Sequence, residues 1–383
     1  MADTLTRAPS AGEGIRSPLP PIDGLGVAVY RIPLDQPEAD GTLTWDATTV
    51  VVVEPRAGGV TGLGCTYGPW ACSAVIHDLL AGAVIGRPAS DVPGAWEAMV
   101  RAVRNAVRTG VASLAIAAVD SALWDLKARL LDLPLADLLG RVRDAAPVYG
   151  SGGFVSMTDE QLIAQLETWV QDQGIPRAKT KIGEDRGARV DRDLRRVRLA
   201  RKTVGDGVEL FVDANGGYTR KQARRVARAL TEEHVTWFEE PVSSDDLEGL
   251  RMLRDAIDPE VTAGEYGTDL VYFERMCAAG AVDCLQVDAS RCAGITEWLR
   301  ACAVAAAHGL DVSAHTAPSL HAHPACAVPN LRHIEYFVDH ARADRLLFDG
   351  VLEPVGGDLR PDCERPGLGL ELKRTDAERF RIG

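Results

Sequence analysis

The chain has 383 residues, of which 46% are hydrophobic and 25% are charged, a composition typical of globular proteins rather than fibrous ones. Its 42 basic and 55 acidic residues leave a net charge of −13, so nucleic acid and anionic membrane surfaces are poor partners. No apolar run approaches the roughly 18 residues of a membrane span, and the eight cysteines lack the spacing of a zinc site. We therefore expect a cytoplasmic protein with reduced thiols, not a secreted or membrane protein.

Residues 1–145 predict a tail followed by a small α+β domain. Residues 1–24 are rich in Ala, Pro, Gly and Ser and lack the apolar core of a secretion signal, so we expect a disordered tail. Segments rich in Val and Thr, separated by turn residues, predict an antiparallel sheet of Leu25–Leu34, Thr48–Glu54 and Val60–Thr66. Helical periodicity follows in Cys72–Ala83, Pro93–Val107 and Val111–Leu131. Residues 25–145 are thus expected to form one α+β domain.

From residue 146 the pattern changes to short apolar runs that alternate with amphipathic helical segments. The predicted strands are Val148–Gly150, Ala178–Lys181, Glu209–Asp213, Val235–Glu239, Val261–Glu265, Cys284–Asp288, Asp311–His315 and His333–Glu335. The predicted helices between them are Asp159–Gln171, Val190–Val204, Thr219–Leu230, Asp245–Asp255, Asp269–Ala279, Ile295–His308 and Ala322–Val328. Eight strands with helices between them predict a closed, TIM-like α/β barrel over residues 146–345.

The last segment, residues 346–383, is rich in proline and glycine. It predicts an extended stretch without a helix that returns across the surface to the first domain.

Three carboxylates stand at the ends of consecutive predicted barrel strands. Asp213, Glu239 and Glu265 are spaced 26 and 26 residues apart, one βα unit each. Because the carboxyl ends of barrel strands converge on one face, we expect these side chains to meet there. A single acidic residue at a strand end is usually a helix cap or a solvated turn residue, but three brought together repel one another unless a cation joins them. Oxygen ligands alone suit Mg²⁺.

Two lysines end the second predicted barrel strand. The chain has 36 arginines and only six lysines, yet Lys179 and Lys181 lie two residues apart and therefore on one face of the strand. An ammonium beside another ammonium and a metal has a lowered pKa, whereas arginine cannot lose its proton. We therefore expect lysines with lowered pKa values that transfer protons at the barrel mouth.

Asp288 and His315 end the sixth and seventh predicted strands. Histidine is the usual proton carrier near neutral pH, and a neighbouring carboxylate holds its tautomer and raises its pKa. The other seven histidines lack such a neighbour at a strand end, so we interpret them as structural. We expect His315 and Asp288 to act as a pair.

The ordered set of motifs resembles the mandelate racemase subgroup of the enolase superfamily over nearly the whole chain. The matching segments are Lys179-Thr180-Lys181, Val212–Asn215, Phe238–Pro241, Ala263–Glu265, Val287–Trp298, Ser313–His315, Ile334–Tyr336 and Pro361–Leu372. The resemblance implies a (β/α)7β barrel with an N-terminal α+β capping domain. It also implies that the protein acts on a small carboxylate substrate and forms a homo-oligomer, from dimer to octamer.

The same resemblance implies roles for the strand-end residues. Asp213, Glu239 and Glu265 would be ligands of Mg²⁺, Lys181 and His315 would be the two acid/base residues, and Asn215 would contact substrate. Lys179 would modulate Lys181, Asp288 would pair with His315, and a protonated Glu335 would donate a hydrogen bond to an enolate. The sequence departs from the usual pattern at Ala293-Gly294, Ser313-Ala314 and Gly216-Gly217-Tyr218, which affects loop shape rather than proton carriers.

These groups suit Mg²⁺-dependent removal of a proton α to a carboxylate. Our first hypothesis is dehydration of an acid sugar to a 2-keto-3-deoxy acid, a lyase reaction. The alternative is a racemase or epimerase of a 2-hydroxy acid, an isomerase that uses the same residues. A cycloisomerase fits less well. A non-catalytic metal-binding scaffold would have lost at least one proton carrier, and the sequence shows none lost. A nucleotide-binding enzyme is disfavoured, because Gly150–Gly153 matches no nucleotide-binding fingerprint. We expect the capping-domain segments Asp35–Asp46 and Cys65–Trp70 to close over the barrel mouth and to set specificity.

Overall fold

The computed structural model describes residues 19–383, and the first of these residues pack on the N-terminal domain. A disordered tail was predicted over residues 1–24, and residues 1–18 of it lie outside the described residues. For residues 19–24 the prediction is wrong. Ile22 is buried, and its N–H donates to the carbonyl of Arg87 at 2.8 Å. Burial of one isoleucine and pairing of the adjacent backbone hold this short segment in place.

The N-terminal domain contains one antiparallel sheet, whose second strand is buried on both faces. Its strands are β1 (Gly24–Ala39), β2 (Thr44–Ala57), β3 (Val60–Thr61) and β4 (Gly64–Tyr67). Along β2, Val51 and Val53 face the helices of this domain, while Val50 and Val52 join the core shared with the barrel. The period-two alternation of the valine run therefore fixes one face of the sheet against the barrel.

The hairpin between β1 and β2 extends farther than predicted, since the strands pair as far as Ala39 and Thr44 across an irregularity between Pro33 and Glu38. The Asp40 carboxylate closes the turn by accepting from the N–H groups of Thr42 and Leu43, at 2.6 and 2.8 Å. This extension brings the end of the hairpin over the barrel, because Ala39 N–H reaches Ser156 Oγ at 3.1 Å.

Helices cover the other face of the sheet. They are α1 (Ala71–Val75), α2 (Ala81–Val84), α3 (Val92–Ala102) and α4 (Val111–Leu130), with a π-helical turn at Ile76–Leu80 and a 3₁₀ turn at Arg104–Ala106. The next helix, α5 (Leu135–Leu139), was not predicted, and its Leu135 and Ala136 join the core shared with the barrel. The small side chains of α4 allow close packing, and a Cβ added at Gly64 would lie 2.3 Å from Ala122 N. Glycine in β4 is therefore needed for the sheet to touch α4.

Eight parallel strands close the barrel, as predicted. They are β5 (Ala146–Ser151), β6 (Arg177–Lys181), β7 (Glu209–Asp213), β8 (Val235–Glu239), β9 (Glu260–Ala263), β10 (Cys284–Val287), β11 (Asp311–Ala314) and β12 (Leu331–Phe337). Each strand pairs in parallel with the next, and β12 pairs with β5 to close the barrel. An apolar layer inside the barrel is formed by Tyr149, Phe211, Trp237 and Cys284. The polar residues at the carboxyl ends of the strands lie above this layer.

Helices follow the barrel strands, and seven of the eight overlap predicted helices, the exception being the one-turn helix at Glu184–Gly187. They are α6 (Asp159–Glu167), α7 (Glu184–Gly187), α8 (Val190–Val204), α9 (Arg220–Glu232), α10 (Leu247–Arg254), α11 (Leu270–Ala278), α12 (Ile295–Ala307) and α13 (Pro318–Cys326), with a π-helical turn at Thr168–Asp172. A further helix, α14 (Val338–Leu347), follows the last barrel strand and was not predicted. Three of its buried residues are polar, Asp339, His340 and Asp344, which obscures its apolar periodicity.

The C-terminal segment forms β13 (Phe348–Asp349), β14 (Asp358–Leu359), β15 (Glu371–Leu372), the one-turn helix α15 (Arg374–Ala377) and a 3₁₀ turn at Glu378–Phe380. The prediction that this segment lacks a helix is wrong, because a helix of one turn is too short to give a periodic signal. The chain end reaches the capping sheet, where the N–H of Ile382 donates to Val29 O at 2.8 Å. Across residues 19–383, no helix is both long and apolar enough to cross a membrane.

Candidate active site

Three buried carboxylates meet at the carboxyl ends of neighbouring barrel strands. Asp213 and Glu239 end β7 and β8, and Glu265 stands two residues beyond β9. One oxygen of each lies within 4.8 Å of the others. Within the described part of the chain, Glu239 Oε1 and Glu265 Oε2 are buried and accept no hydrogen bond, although His315 Nε2 lies 3.3 Å from Glu265 Oε2. Orphaned acceptor oxygens in a three-carboxylate set fit a hard divalent cation such as Mg²⁺.

The charge balance of the barrel mouth leads to the same conclusion. Six buried carboxyl groups belong to the cluster, those of Asp213, Glu239, Glu240, Glu265, Asp288 and Glu335. Among residues 19–383, the permanent cations that pair with this cluster are Lys179, Lys181 and Arg291. Six carboxyl groups against three permanent cations leave an excess of up to three negative charges. The raised pKa values of Glu240 and His315 favour protonation of both groups, which offsets part of this excess, and a bound dication would take over that role.

Lys179 and Lys181 point into this carboxylate cluster. Lys179 Nζ lies 2.6 Å from Glu239 Oε2, 2.7 Å from Glu335 Oε1 and 3.8 Å from Asp213 Oδ2, and Lys181 Nζ contacts Asp213 Oδ2. Burial alone lowers the pKa of each lysine, but the carboxylates outweigh it and raise both pKa values above the usual range. Among the protein's own charges, the like charge of the other lysine is the weaker influence on Lys181. The lowered lysine pKa is predicted for lysines beside a bound metal, and it stays a prediction.

Asp288 and His315 form a hydrogen-bonded pair on the opposite wall. His315 Nδ1 lies 2.9 Å from Asp288 Oδ2, while His315 Nε2 lies 3.3 Å from Glu265 Oε2 and 3.5 Å from Glu335 Oε2. Burial lowers the pKa of His315, but Glu265 and Glu335 outweigh it and raise the pKa to about 10. The N–H and hydroxyl of Ser290 both donate to Asp288 Oδ1 at 2.7 Å, which holds the carboxylate in place.

Glu335 lies between Lys179 and His315. The hydroxyl of Ser151 and the N–H of Thr316, the latter at 3.1 Å, donate to its carboxylate. Burial raises the pKa of Glu335, but the charges of Lys179 and His315 outweigh it and lower the pKa to about 2. The ionised form is therefore favoured here, whereas the resemblance led us to expect a protonated carboxyl group. The reason is the 2.7 Å contact with Lys179, which the sequence did not reveal.

A cavity of about 410 Å³ opens above these groups, between the barrel and the capping domain. Lys181, Asn215, Glu265, His315 and Glu335 line its floor. Its outer wall comes from the hairpin end and the segment after β4, with Asp40, Leu43, Trp45, Tyr67, Gly68 and Pro69. The two capping-domain segments selected from the sequence thus both reach the cavity. Lys179 lies beneath it, fully buried and outside the lining.

Asn215 has a left-handed backbone conformation, with φ 44°. Its N–H donates to Asp213 Oδ1 at 2.8 Å, and its own Oδ1 is buried without a partner among the described residues. The side chain therefore retains an unused acceptor at the cavity floor.

Sequence reasoning missed three residues of the site. Glu240 is buried beside the triad, and burial together with Glu265 raises its pKa well above the usual range. Arg291 pairs with Glu265 at 3.2 Å and with Asp288 at 3.4 Å. Thr316 hydrogen-bonds Glu335 and has φ 49°, a rare conformation for a β-branched residue. Strained backbone beside a strand end is a signal that the sequence does not display.

The loop after β10, which carries Asp288, is fastened to the capping domain. Asp120 of α4 accepts from Thr296 N–H at 2.9 Å and from its hydroxyl at 2.6 Å, so the capping domain caps the start of α12. Trp96 Nε1 donates to Ala293 O at 2.8 Å. Ala293 and Gly294 have φ values of 67° and 100°, so the alanine at this departure from the usual pattern accepts a conformation that favours glycine.

The chain and its architecture have counterparts in known proteins. The family profile described as "Mandelate racemase / muconate lactonizing enzyme, N-terminal domain" matches residues 27–140, and "Enolase C-terminal domain-like" matches residues 161–377. The chain belongs to the mandelate racemase subgroup of the enolase superfamily. Its resemblance to this subgroup, inferred from the strand-end motifs, is confirmed.

Three members of the superfamily illustrate the likeness. The chain is 30% identical over 362 residues to an L-talarate/galactarate dehydratase of Salmonella typhimurium, covering 92% of this chain and 89% of the relative. A mandelate racemase/muconate lactonizing enzyme-like protein from Rubrobacter xylanophilus is 50% identical, with a TM-score of 0.92 over 95% of this chain and 100% of that one. A racemase from Streptomyces coelicolor A3(2), solved with bound magnesium, is 29% identical, with a TM-score of 0.88 over 94% and 100%.

Proposed function

We propose that this protein is an Mg²⁺-dependent acid-sugar dehydratase that forms a 2-keto-3-deoxy acid. One observation carries the proposal. Two proton carriers, Lys181 and His315, line the same cavity from strands on different sides of the barrel, beside a triad of carboxylates with unused oxygens. The likeness to a dehydratase of acid sugars supports this choice.

Asp213, Glu239 and Glu265 would hold the metal. When bound, Mg²⁺ supplies a positive charge that stabilises the negative charge developing on the substrate carboxylate as its α-proton leaves. The substrate carboxylate would then lie at the cavity floor, within reach of Lys181 and Asn215. Asn215 Oδ1 would accept a hydrogen bond from a substrate hydroxyl.

The proton transfers belong to the chain's own residues. Lys181 Nζ, once deprotonated, or His315 Nε2 removes the α-proton, and the C–H electron pair forms the C=C bond of an enediolate. His315 Nε2 protonates the β-hydroxyl as the C–O bond breaks, so that water leaves and an enol remains, which tautomerises to the 2-keto acid. Asp288 holds His315 Nδ1 so that Nε2 faces the cavity. Glu335 positions His315 through their ion pair, and Lys179 influences Lys181 through Asp213, which both lysines contact.

A racemase or epimerase is the second candidate, because proton carriers on two walls would also allow the proton to return to the opposite face. It shares the first step, and the solved racemase with bound magnesium supports it. The two candidates differ only in whether a β-hydroxyl leaves.

The test is a screen of sugar acids and 2-hydroxy acids in D₂O with Mg²⁺. Semicarbazide detects 2-keto acids, and proton NMR detects exchange at the α-carbon. Keto acid formation supports the dehydratase, whereas exchange with inversion and without keto acid supports the racemase. A screen in which the wild type and the Lys181→Ala, His315→Asn double variant are equally inert would contradict both candidates.

We also propose that the protein works in the cytoplasm as a homo-oligomer. All eight cysteines lie within the described residues and are free thiols, seven of them buried, as is usual in a reducing compartment. Light scattering after gel filtration tests the oligomer, and a monomer at micromolar concentration would contradict it. Fractionation of the producing cells tests the location.

A further inference from the structure

The cavity has two chemically different ends. The floor contains Lys181, Arg291, His315 and Glu265, one carboxylate of the triad. The outer wall comes from the capping domain and from the start of α14. In the part of the chain that the structure describes, the charged side chains of this outer wall are the acidic Asp40 and Asp339, and it contains neither lysine nor arginine.

The cations of the floor are already engaged. Lys181 pairs with Asp213, and Arg291 pairs with both Glu265 and Asp288. The Arg291 guanidinium also lies 5.6 Å from the ring centre of Tyr266. Neither cation is free to bind a second carboxylate at the far end of a substrate.

Asp339 places negative charge on the outer wall. It is 4% exposed, and Trp45 Nε1 donates to its Oδ2 at 2.9 Å. Glu38 lies beside it, and burial together with Asp339 raises the pKa of Glu38 well above its usual range. Arg342, one turn farther along α14, donates to Pro33 O at 2.8 Å and is outside the cavity lining. A carboxylate beside Asp339 would therefore meet a like charge.

The remaining groups of the outer wall are uncharged, and apart from Leu43, Ala47, Gly68 and Pro69 they are polar or aromatic. His340 Nδ1 accepts from Ala317 N–H at 3.1 Å, so its neutral ring carries the proton on Nε2. Burial lowers the pKa of His340 to about 3, and the ring stacks on Tyr67 at 3.5 Å between ring centres. Thr48 and Thr49 add hydroxyl groups. This combination of acceptors, hydroxyls and rings suits the hydroxyl groups of a sugar chain.

We propose that the outer end of the cavity selects sugar acids with a single carboxylate and a neutral, hydroxylated tail, and that it excludes the corresponding diacids. The inference rests on the proposed function, because it assumes that the substrate carboxylate binds at the metal end. The hydroxyl groups of the tail would donate hydrogen bonds to the carboxylates of Asp339 and Asp40. A carboxylate at the end of the tail would lose its hydration shell there without gaining a cationic partner.

The experiment compares matched pairs of acids, each a hexonate and the hexarate with the same configuration at carbons 2–5. The specificity constant kcat/KM is measured in the presence of Mg²⁺, for 2-keto acid formation or for α-proton exchange. Binding of both acids to the Mg²⁺-loaded wild type is measured by calorimetry. We expect the preferred hexonate to exceed its hexarate at least tenfold in binding, or about 1.4 kcal/mol, and in kcat/KM. Equal or tighter binding of the hexarate, or binding of neither acid in any pair, would overturn the inference.

A substitution tests the origin of the selectivity. Asp339→Asn keeps an acceptor for Trp45 Nε1 but removes the charge, so the hexonate preference should shrink at least threefold. Asp349→Asn is the matched control, because Asp349 pairs with Arg365 on the surface away from the cavity, and it should leave the preference unchanged. An unchanged preference in Asp339→Asn would contradict the assigned role of Asp339. Selective hexonate binding without exchange or dehydration would instead refute the proposed function and leave the specificity of the outer end supported.

Discussion

Replacement of Asp288 by asparagine tests the proton-transfer scheme most directly. Asp288 Oδ1 accepts from the N–H and the hydroxyl of Ser290, both at 2.7 Å, and Oδ2 faces His315 Nδ1 at 2.9 Å. An asparagine that keeps its oxygen toward Ser290 must turn its NH₂ group toward His315. Nδ1 then has to accept a hydrogen bond, and the ring proton moves to Nε2. His315 would lose the lone pair that it needs as a base, and without the charge of Asp288 the imidazolium that it needs as an acid would be less favoured.

The magnitude follows from these contacts. Loss of one hydrogen bond to a charged group costs about 1.5–3 kcal/mol, and each 1.36 kcal/mol changes a rate tenfold. This sets a lower limit of roughly tenfold to a hundredfold. A comparable tautomer change in a catalytic triad lowers kcat about 10⁴-fold, which sets an upper limit. We therefore expect kcat to fall by about 10²- to 10⁴-fold, with a loss of stability of at most about 2 kcal/mol.

The assay combines steady-state kinetics on the best substrate, Mg²⁺ titration by calorimetry and urea denaturation. Asp283→Asn is the matched control, because Asp283 precedes β10 at its other end and accepts from Arg254 Nε and Val261 N–H. We expect it to keep kcat near the wild-type value. A kcat within tenfold of wild type in Asp288→Asn would refute the reasoning. Weakened Mg²⁺ binding equal to that of Glu265→Gln would make Asp288 a ligand.

Three further predictions concern the metal, the two bases and the packing of the capping domain. EDTA should abolish activity and Mg²⁺ should restore it, and Glu239→Gln should weaken Mg²⁺ binding at least tenfold in calorimetry; full activity of metal-free protein would contradict the assignment. Lys181→Ala and His315→Asn should each abolish α-proton exchange with one configuration of the substrate and preserve it with the other, as followed by NMR in D₂O; identical losses in both variants would mean that the faces are wrongly assigned. Gly64→Ala should destabilise the protein by about 1–3 kcal/mol in urea denaturation, since its Cβ would lie 2.3 Å from a backbone nitrogen of α4. Gly82→Ala, which meets no described atom within 4 Å, is its control, and equal stability of the two variants would argue against the close approach.

The sequence by itself determined the barrel and the position of the metal triad. Both depend on local information, namely the alternation of apolar runs with helices and the residue type at each strand end. Because parallel strands in a closed barrel end on one face, Asp213, Glu239 and Glu265 had to converge whatever the details of packing. The same reasoning brought His315 and Asp288 to adjacent strand ends, where the structure places them 2.9 Å apart.

Only the tertiary structure decided the electrostatics of the site and the shape of its outer end. The lysine pKa values depend on how many carboxylates surround each ammonium group. This number cannot be read from the positions of the two lysines along one strand. The contact between Trp45 and Asp339 joins residues 294 positions apart, and it exists because the capping hairpin lies over α14. Side-chain contacts between segments so distant in sequence follow from the packing of two domains. The local sequence pattern of either segment does not predict its contact with the other. The substrate-selecting wall of the cavity is therefore a property of the folded chain.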